Sequence, residues 1–348
     1  MKTRFLLTAV IAALLSTAGQ AQTLPKTHLK VVGGLSNLSA YNDYEKPFWT
    51  QVVPTLSGGQ VTADIKGFNE MGLKGPELLR LMSQGVIEFG TATLSYFASD
   101  NPINEAVDLA GLAPDAKTAR AMVDAFEPVY AKFYGAGSNI KLLGISPYPA
   151  QVLFCNADIK GLADLKGKKV RTSSRTQAEF VEALGGSSVT MAFGEVVPAM
   201  QNKVVDCAIT GSLSGYSAKW YEVSTHLYAL PINWNPQIHA VNRKAWDKLD
   251  PKVQAFVQTN IKSMISNMWD GAAAQTQQGY DCNTGAAACT LPVKGKMVLV
   301  RPTDADRALL KKLMQKTVLP KWAARCSAGC VKDFNATIGK LVHLTAKK

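Results

Sequence analysis

Between Gly161 and Thr210 the chain switches repeatedly between strand-like and helix-like periodicity, and that alternation limits the folds open to it. Lys168 to Thr172 read as a short strand. Thr176 to Leu184 read as a helix with Ala178, Val181 and Leu184 on one face, stopped by Gly185-Gly186. Val189 to Met191 form a strand, Glu195 to Gln201 a short helix and Val204 to Ile209 another strand. Short strands alternating with helices imply a mostly parallel sheet, and ligands of such sheets lie beyond the carboxyl ends of the strands. Arg171 stands at one of those ends, just before the polar pair Ser173-Ser174. A guanidinium there offers a planar fork to a carboxylate, or else serves as a solvated or salt-bridged charge.

The flanking elements extend the pattern on both sides. Strands are expected at His28–Gly33, Val61–Lys66, Ile87–Gly90, Lys141–Ser146, Gln151–Cys155, from His226, at Ile238–Asn242 and at Met297–Val300. Helices are expected at Tyr44–Val53, with Phe48, Trp49 and Val52 inward, at Gly75–Gly85, at Asp115–Tyr134 and at Tyr216–Val223. A long helix starts at Pro251, a good first-turn residue, and runs to about Gln278. Asp281 to Thr290 read as a loop between two cysteines, and Asn101 to Pro114 as a loop with polar punctuation. The last helices start near Thr303, at Val318 (running in part to Cys330) and at Phe334. A chain of 348 residues, 47% hydrophobic and 18% charged, is long enough for two domains.

Met1 to Ala21 have the form of a secretory signal: Lys2 and Arg4, an apolar run from Phe5 to Leu15, then small residues before Gln22. No later stretch is long and apolar enough to span a membrane. Export puts Cys155, Cys207, Cys282, Cys289, Cys326 and Cys330 in an oxidising compartment, where an even count allows full pairing. Proximity pairs Cys282–Cys289 and Cys326–Cys330 and leaves Cys155–Cys207. A metal site is the weaker alternative, because four histidines and no C-x-x-C pair accompany the thiols. The net charge of +12 is dispersed, which fits attraction of anionic solutes or plain solubility better than nucleic-acid binding. No nucleophile signature, Walker loop or dinucleotide fingerprint accompanies His28, His226, His239 and His343, so neither an enzyme nor a cofactor is expected.

The run DLKGKKVR, then ALGGSSVTM, then a Glu before a short helix ending in Gln201, then KVVDCAI resembles the solute receptors of tripartite ATP-independent periplasmic (TRAP) transporters. The resemblance extends over about residues 28–280 and implies an α/β, two-lobed periplasmic binding protein with mixed or parallel sheets, hinge strands and a long lobe-spanning helix. On that reading residues 22–147 plus about 233–255 form lobe I. Residues 148–232 plus part of 256–348 form lobe II, and the helix of about 251–278 spans both.

The resemblance also carries roles residue by residue. Arg171 matches the arginine that clamps the carboxylate of an organic acid. Gln151 stands where several dicarboxylate and sialic-acid receptors carry arginine. A neutral amide cannot balance a second charge, which favours a monocarboxylate. Thr93 and Tyr96 follow a strand whose end faces the cleft, and Tyr96 either contacts solute or packs as an aromatic. In the loop after the first strand, Asn37, with Ser36, Tyr41 and Asn42, either touches solute or forms the turn. Thr210 and Ser212 follow another strand end. Trp234 and Asn235 stand where family members present an aromatic or polar wall, and turn chemistry and packing explain them as well. Receptors with a metal-assisted site carry Trp-Glu where this chain has Thr210-Gly211, so no cation is expected at the ligand.

The expected protein is therefore a monomeric periplasmic receptor, not an enzyme. It would bind a small monocarboxylate, such as a 2-oxo or 2-hydroxy acid with an apolar or aromatic part, and deliver it to TRAP membrane subunits. An exported hydrolase or isomerase on a similar scaffold is the runner-up, and a receptor that presents ligand to a sensor protein is a third reading.

Overall fold

A computed structural model describes residues 24–348, so the expected signal segment lies outside the described residues. Among the described residues there are eleven strands: β1 (Thr27–Gly33), β2 (Val61–Gly67), β3 (Phe89–Thr93), β4 (Ile140–Ser146), β5 (Gln151–Cys155), β6 (Lys169–Thr172), β7 (Ser187–Thr190), β8 (Cys207–Gly211), β9 (His226–Asn233), β10 (Gln237–Asn242) and β11 (Val298–Val300). They form two sheets, ordered β2-β1-β3-β10-β4 and β11-β9-β5-β8-β6-β7. In the first, β1 runs parallel to β2 and β3, while β10 is antiparallel to β3 and β4. In the second, β6 runs parallel to β7 and β8, while β5 is antiparallel to β8 and β9. The fold is thus a two-lobed α/β structure with mixed sheets.

The chain crosses from the first sheet to the second between Ser146 and Gln151, and returns between Asn233 and Gln237. These crossings bring the carboxyl ends of β1 and β3 opposite those of β6 and β8. A cleft lined by loops from both lobes follows from that topology.

The helix Pro251–Thr284 binds the lobes together from behind. Asp250 caps it by accepting from Lys252 N at 2.8 Å. Gln258 Nε2 donates to Leu143 O and Trp269 Nε1 to Ile145 O, both at 2.9 Å and both in β4. Further along, Ser212 Oγ donates to Thr276 O at 2.9 Å, and Asn283 Nδ2 donates to Ser212 O at 2.9 Å. The helix continues past the expected stop near Gln278. Gly279 does not break it, because a Cβ there would meet Leu213 N at 2.3 Å, and glycine is needed for close packing. The expected loop between Cys282 and Cys289 is correspondingly shorter, with Cys282 on the last turns of the helix.

Two other boundaries differ for local reasons. Phe48 and Trp49 are buried as expected, but Val52 is 41% exposed. Wide turns, in which Lys46 N donates to Tyr41 O and Val53 N to Phe48 O, rotate Val52 off the inner face. The segment after Val318 splits into helices Leu319–Arg325 and Ala328–Ala336, because Cys326 is extended and Ser327 caps the second, accepting from Cys330 N.

The sulfurs pair as Cys155–Cys207, Cys282–Cys289 and Cys326–Cys330, with Cα separations of 4.0, 4.7 and 5.8 Å. Cys155 and Cys207 face each other directly in the register of β5 and β8. The carboxyl-terminal helices fasten onto both lobes. Trp322 Nε1 donates to Pro102 O at 2.8 Å, and Arg325 bridges the buried carboxylates of Glu105 and Glu179.

Candidate binding cleft

Strand β6 aims Arg171 into the interior. Its neighbours β7 and β8 cover both edges, and Ser174 turns the chain into helix Arg175–Ala183 by accepting from Gln177 N at 3.2 Å. Arg171 is only 2% exposed. Its Nε and Nη2 both donate to Met191 O, at 3.2 and 3.1 Å, and Nη1 donates to Ile209 O at 2.7 Å. These bonds use three of the five N–H donors of a guanidinium and leave one on each terminal nitrogen. The ring of Trp220 lies 5.9 Å from Cζ, a cation–π distance. Among the described residues no carboxylate pairs with Arg171. Burial pushes the guanidinium down to about 10, still charged at neutral pH. A buried cation without a counter-ion is expensive, and the two uncommitted N–H groups are the means of pairing it with an anion.

Around this fork lies a small cavity lined from both lobes. Leu35, Leu38, Thr93 and Tyr96 come from the ends of β1 and β3, Tyr148 and Asn235 from the two crossings, and Gln151, Ser173, Phe193, Thr210 and Ser214 from the second lobe. At the mouth, Lys74 Nζ meets Glu195 Oε1 at 2.8 Å across the cleft, an exposed pair that marks the closed arrangement but holds it weakly.

Six of the expected contact residues, Arg171, Gln151, Thr210, Asn235, Tyr96 and Thr93, share this cavity. Asn37 lies further out, on the groove beside Lys74 and Glu195. The structure does not bring Trp234 or Ser212 to the cavity. Trp234 is turned inward, its Nε1 donating to Ala113 O at 3.2 Å, and the hydroxyl of Ser212 is spent on the long helix. Tyr148, Ser173, Phe193 and Ser214 were not legible as cleft residues. Tyr148 before Pro149 marked only a turn, and nothing in the spacing of the serines showed which would face inward.

Behind the cleft two buried carboxylates brace the frame. Glu45 Oε2 accepts from Gly34 N at 3.1 Å, and burial pushes its carboxyl up to about 7. Asp108 accepts from Trp234 N at 2.8 Å, Asn235 N at 3.0 Å and Asn233 Nδ2 at 2.6 Å; burial still pushes it up to about 7 against those three donors. A carboxyl raised on folding adds stability that is fully present below its unfolded value and is lost as pH rises through the folded one. For Glu45 that window runs from about 4.5 to about 7. Glu45→Gln is therefore expected to raise Tm relative to the parent protein at about pH 8, by about 2 °C or more, with a smaller gain at about pH 4.5. Paired thermal melts at the two pH values check it. An equal difference at both would contradict the assignment.

The sequence profile of the bacterial extracellular solute-binding proteins, family 7, matches residues 39–321. The 2,3-diketo-L-gulonate-binding periplasmic protein of Escherichia coli (strain K12) is 26% identical over 196 residues, 56% of this chain and 60% of that protein. The chain thus spans less than two thirds of that relative. Among solved structures, an extracytoplasmic solute receptor of Bordetella pertussis binding pyroglutamic acid superposes with a TM-score of 0.79 at 23% identity, covering 89% of this chain and 98% of that one. A TRAP periplasmic solute-binding protein of Rhodoferax ferrireducens with bound malonate superposes with a TM-score of 0.78 at 18% identity, covering 90% and 98%. At these identities the superpositions speak for the fold.

Proposed function

The chain belongs to the bacterial extracellular solute-binding proteins, family 7, the periplasmic receptors of TRAP transporters, and from that premise we propose that it binds a small organic acid in the periplasm and hands it to a TRAP membrane transporter. The observation that carries the reading is the guanidinium of Arg171, buried without a carboxylate partner and with one uncommitted N–H on each terminal nitrogen. The acid's two oxygens take those donors and supply the missing counter-charge. Contacts from both lobes then favour the closed state over the open one. Family membership weighs against the exported hydrolase or isomerase.

The finer reading is a monocarboxylate. Of the residues lining the cavity, Arg171 alone carries a full charge, and Gln151 opposite is neutral. Of the solutes named for the relatives above, two carry one carboxyl group and malonate carries two. The charge count in this cleft favours the first kind. Leu35, Leu38 and Phe193 suit an apolar part of the solute, in keeping with a substituted 2-oxo or 2-hydroxy acid.

A thermal-shift screen of small organic acids, followed by calorimetry on the hits, tests both levels. At least one monocarboxylate is expected to raise Tm by about 5 °C or more at saturation, with one-to-one binding and no turnover. Dicarboxylates of equal length are expected to bind more weakly. A screen in which only neutral solutes bind would overturn the receptor reading, and a dicarboxylate preference would overturn the finer one.

A further inference from the structure

We propose that Ser214, with Gln151 and Gly211, forms a specificity recess that takes an uncharged hydrogen-bonding group of the solute, a hydroxyl or an amide, beside the carboxylate held by Arg171. This rests on the reading of the cleft as an organic-acid site and adds what selects among acids.

Three serines lie on helix Ser212–Ser217, and two have conventional partners. Ser212 Oγ donates to Thr276 O, and Ser217 Oγ donates to Leu213 O at 3.0 Å, the usual bond one helical turn back. Ser214 does neither. It is 3% exposed, it lines the cavity, and its Oγ has no hydrogen-bond partner among the described residues. A buried hydroxyl left unpaired carries the cost of its lost hydration, so a hydroxyl kept at a ligand cavity points to a partner that arrives with the ligand.

Gln151 completes the recess. One N–H of its Nε2 donates to Pro149 O at 3.0 Å, and its second N–H and its Oε1 are uncommitted. Gly211 lets both side chains pack tightly against β8. A Cβ there would lie 2.7 Å from Ser214 Oγ, 3.1 Å from Gln151 Nε2 and 3.3 Å from Pro149 O. Its φ of −56° suits any residue, so the requirement is room and not backbone freedom. A hydroxyl that donates or accepts a hydrogen bond, an amide that does both, and no formal charge make this recess complementary to a neutral polar group. A second carboxylate would find no cation here to offset its desolvation.

The test uses matched acids and reads selectivity. The probes are 2-hydroxybutyrate against butyrate, and N-acetylglycine against pentanoate, each titrated calorimetrically into the full mature chain. In the parent protein the polar member of at least one pair is expected to bind more tightly. In Ser214→Ala that preference is expected to fall about 10-fold, because the recess loses its hydroxyl. The variant removes an unpaired hydroxyl, so it is expected to fold with an unchanged or higher Tm. Gly211→Ala, whose Cβ would displace Ser214 Oγ and Gln151 Nε2, is expected to reduce the same ratio. A parent protein without preference in either pair, or a ratio unchanged in Ser214→Ala, would overturn the recess while leaving the acid clamp intact. Failure of every acid to bind would overturn both.

Discussion

Arg171→Met is expected to lower the affinity for every acid the parent protein binds by at least about 100-fold, because a desolvated, bidentate charge-assisted pair is lost. The same substitution is expected to leave the Tm of the solute-free protein within about 2 °C, or to raise it. That combination follows from the surroundings of the side chain. The guanidinium is buried and meets only two carbonyl oxygens, of Met191 and Ile209. Removing a buried cation that has no counter-ion relieves a desolvation cost, whereas breaking a complete ion pair would add one. Methionine fills a similar volume. Arg171→Lys keeps the charge but presents it as a point with three donors, too few to hold two carbonyls and both oxygens of a carboxylate. It is expected to bind about 10-fold more weakly than the parent. Calorimetry and melts on the three proteins together decide the matter. A methionine variant that binds like the parent would remove the basis for the clamp.

Asp108→Ala is expected to cost the most stability of any single change considered, about 3 kcal/mol or more. It orphans three buried donors at once: Asn233 Nδ2, Trp234 N and Asn235 N. The site matters for function because these residues form the return crossing between β9 and β10. Asn235 there adopts φ +46° and holds its side chain at the cleft, its Oδ1 accepting from Ser95 Oγ at 3.0 Å. Without Asp108 the crossing loses its fixed shape, so solute affinity is expected to fall along with the melting temperature. Asp108→Asn should be milder in volume but still destabilising. An amide N–H would face Asn233 Nδ2, and flipping Asn233 would break its bond from Gln177 Nε2, now 2.8 Å. Chemical denaturation gives the direct measurement, and an alanine variant as stable as the parent would show that the crossing is held by something else.

These two residues differ in how far the sequence announced them. The place of Arg171 at a strand end was legible because its surroundings are local: a strand before it, a polar turn after it, and a helix stopped by Gly185-Gly186; the clamp role itself came from the family resemblance. Asp108 was not legible, because it sits in a stretch without periodicity, and its three partners lie more than a hundred residues away. Trp234 shows where local pattern leaves two readings open. An aromatic near a strand end reads equally as a wall for solute or as packing, and here a bond to Ala113 O turns it inward. The long helix was expected to run to about Gln278, while it continues through Gly279, which admits the backbone of Ser212 and Leu213.

By itself the sequence determined the alternation of strands and helices, the layered α/β class, the position of one arginine at a strand end and the neighbouring cysteines that pair. Those features depend on residues within a few turns of one another, where periodicity and turn chemistry act. Only the tertiary structure decided which polar groups are buried with partners and which without. Ser212, Ser214 and Ser217 are chemically identical and share one short helix, and their roles separate through contacts with segments far along the chain. The reason is that desolvation is set by everything that packs against a group, whereas local spacing records only the face on which it starts.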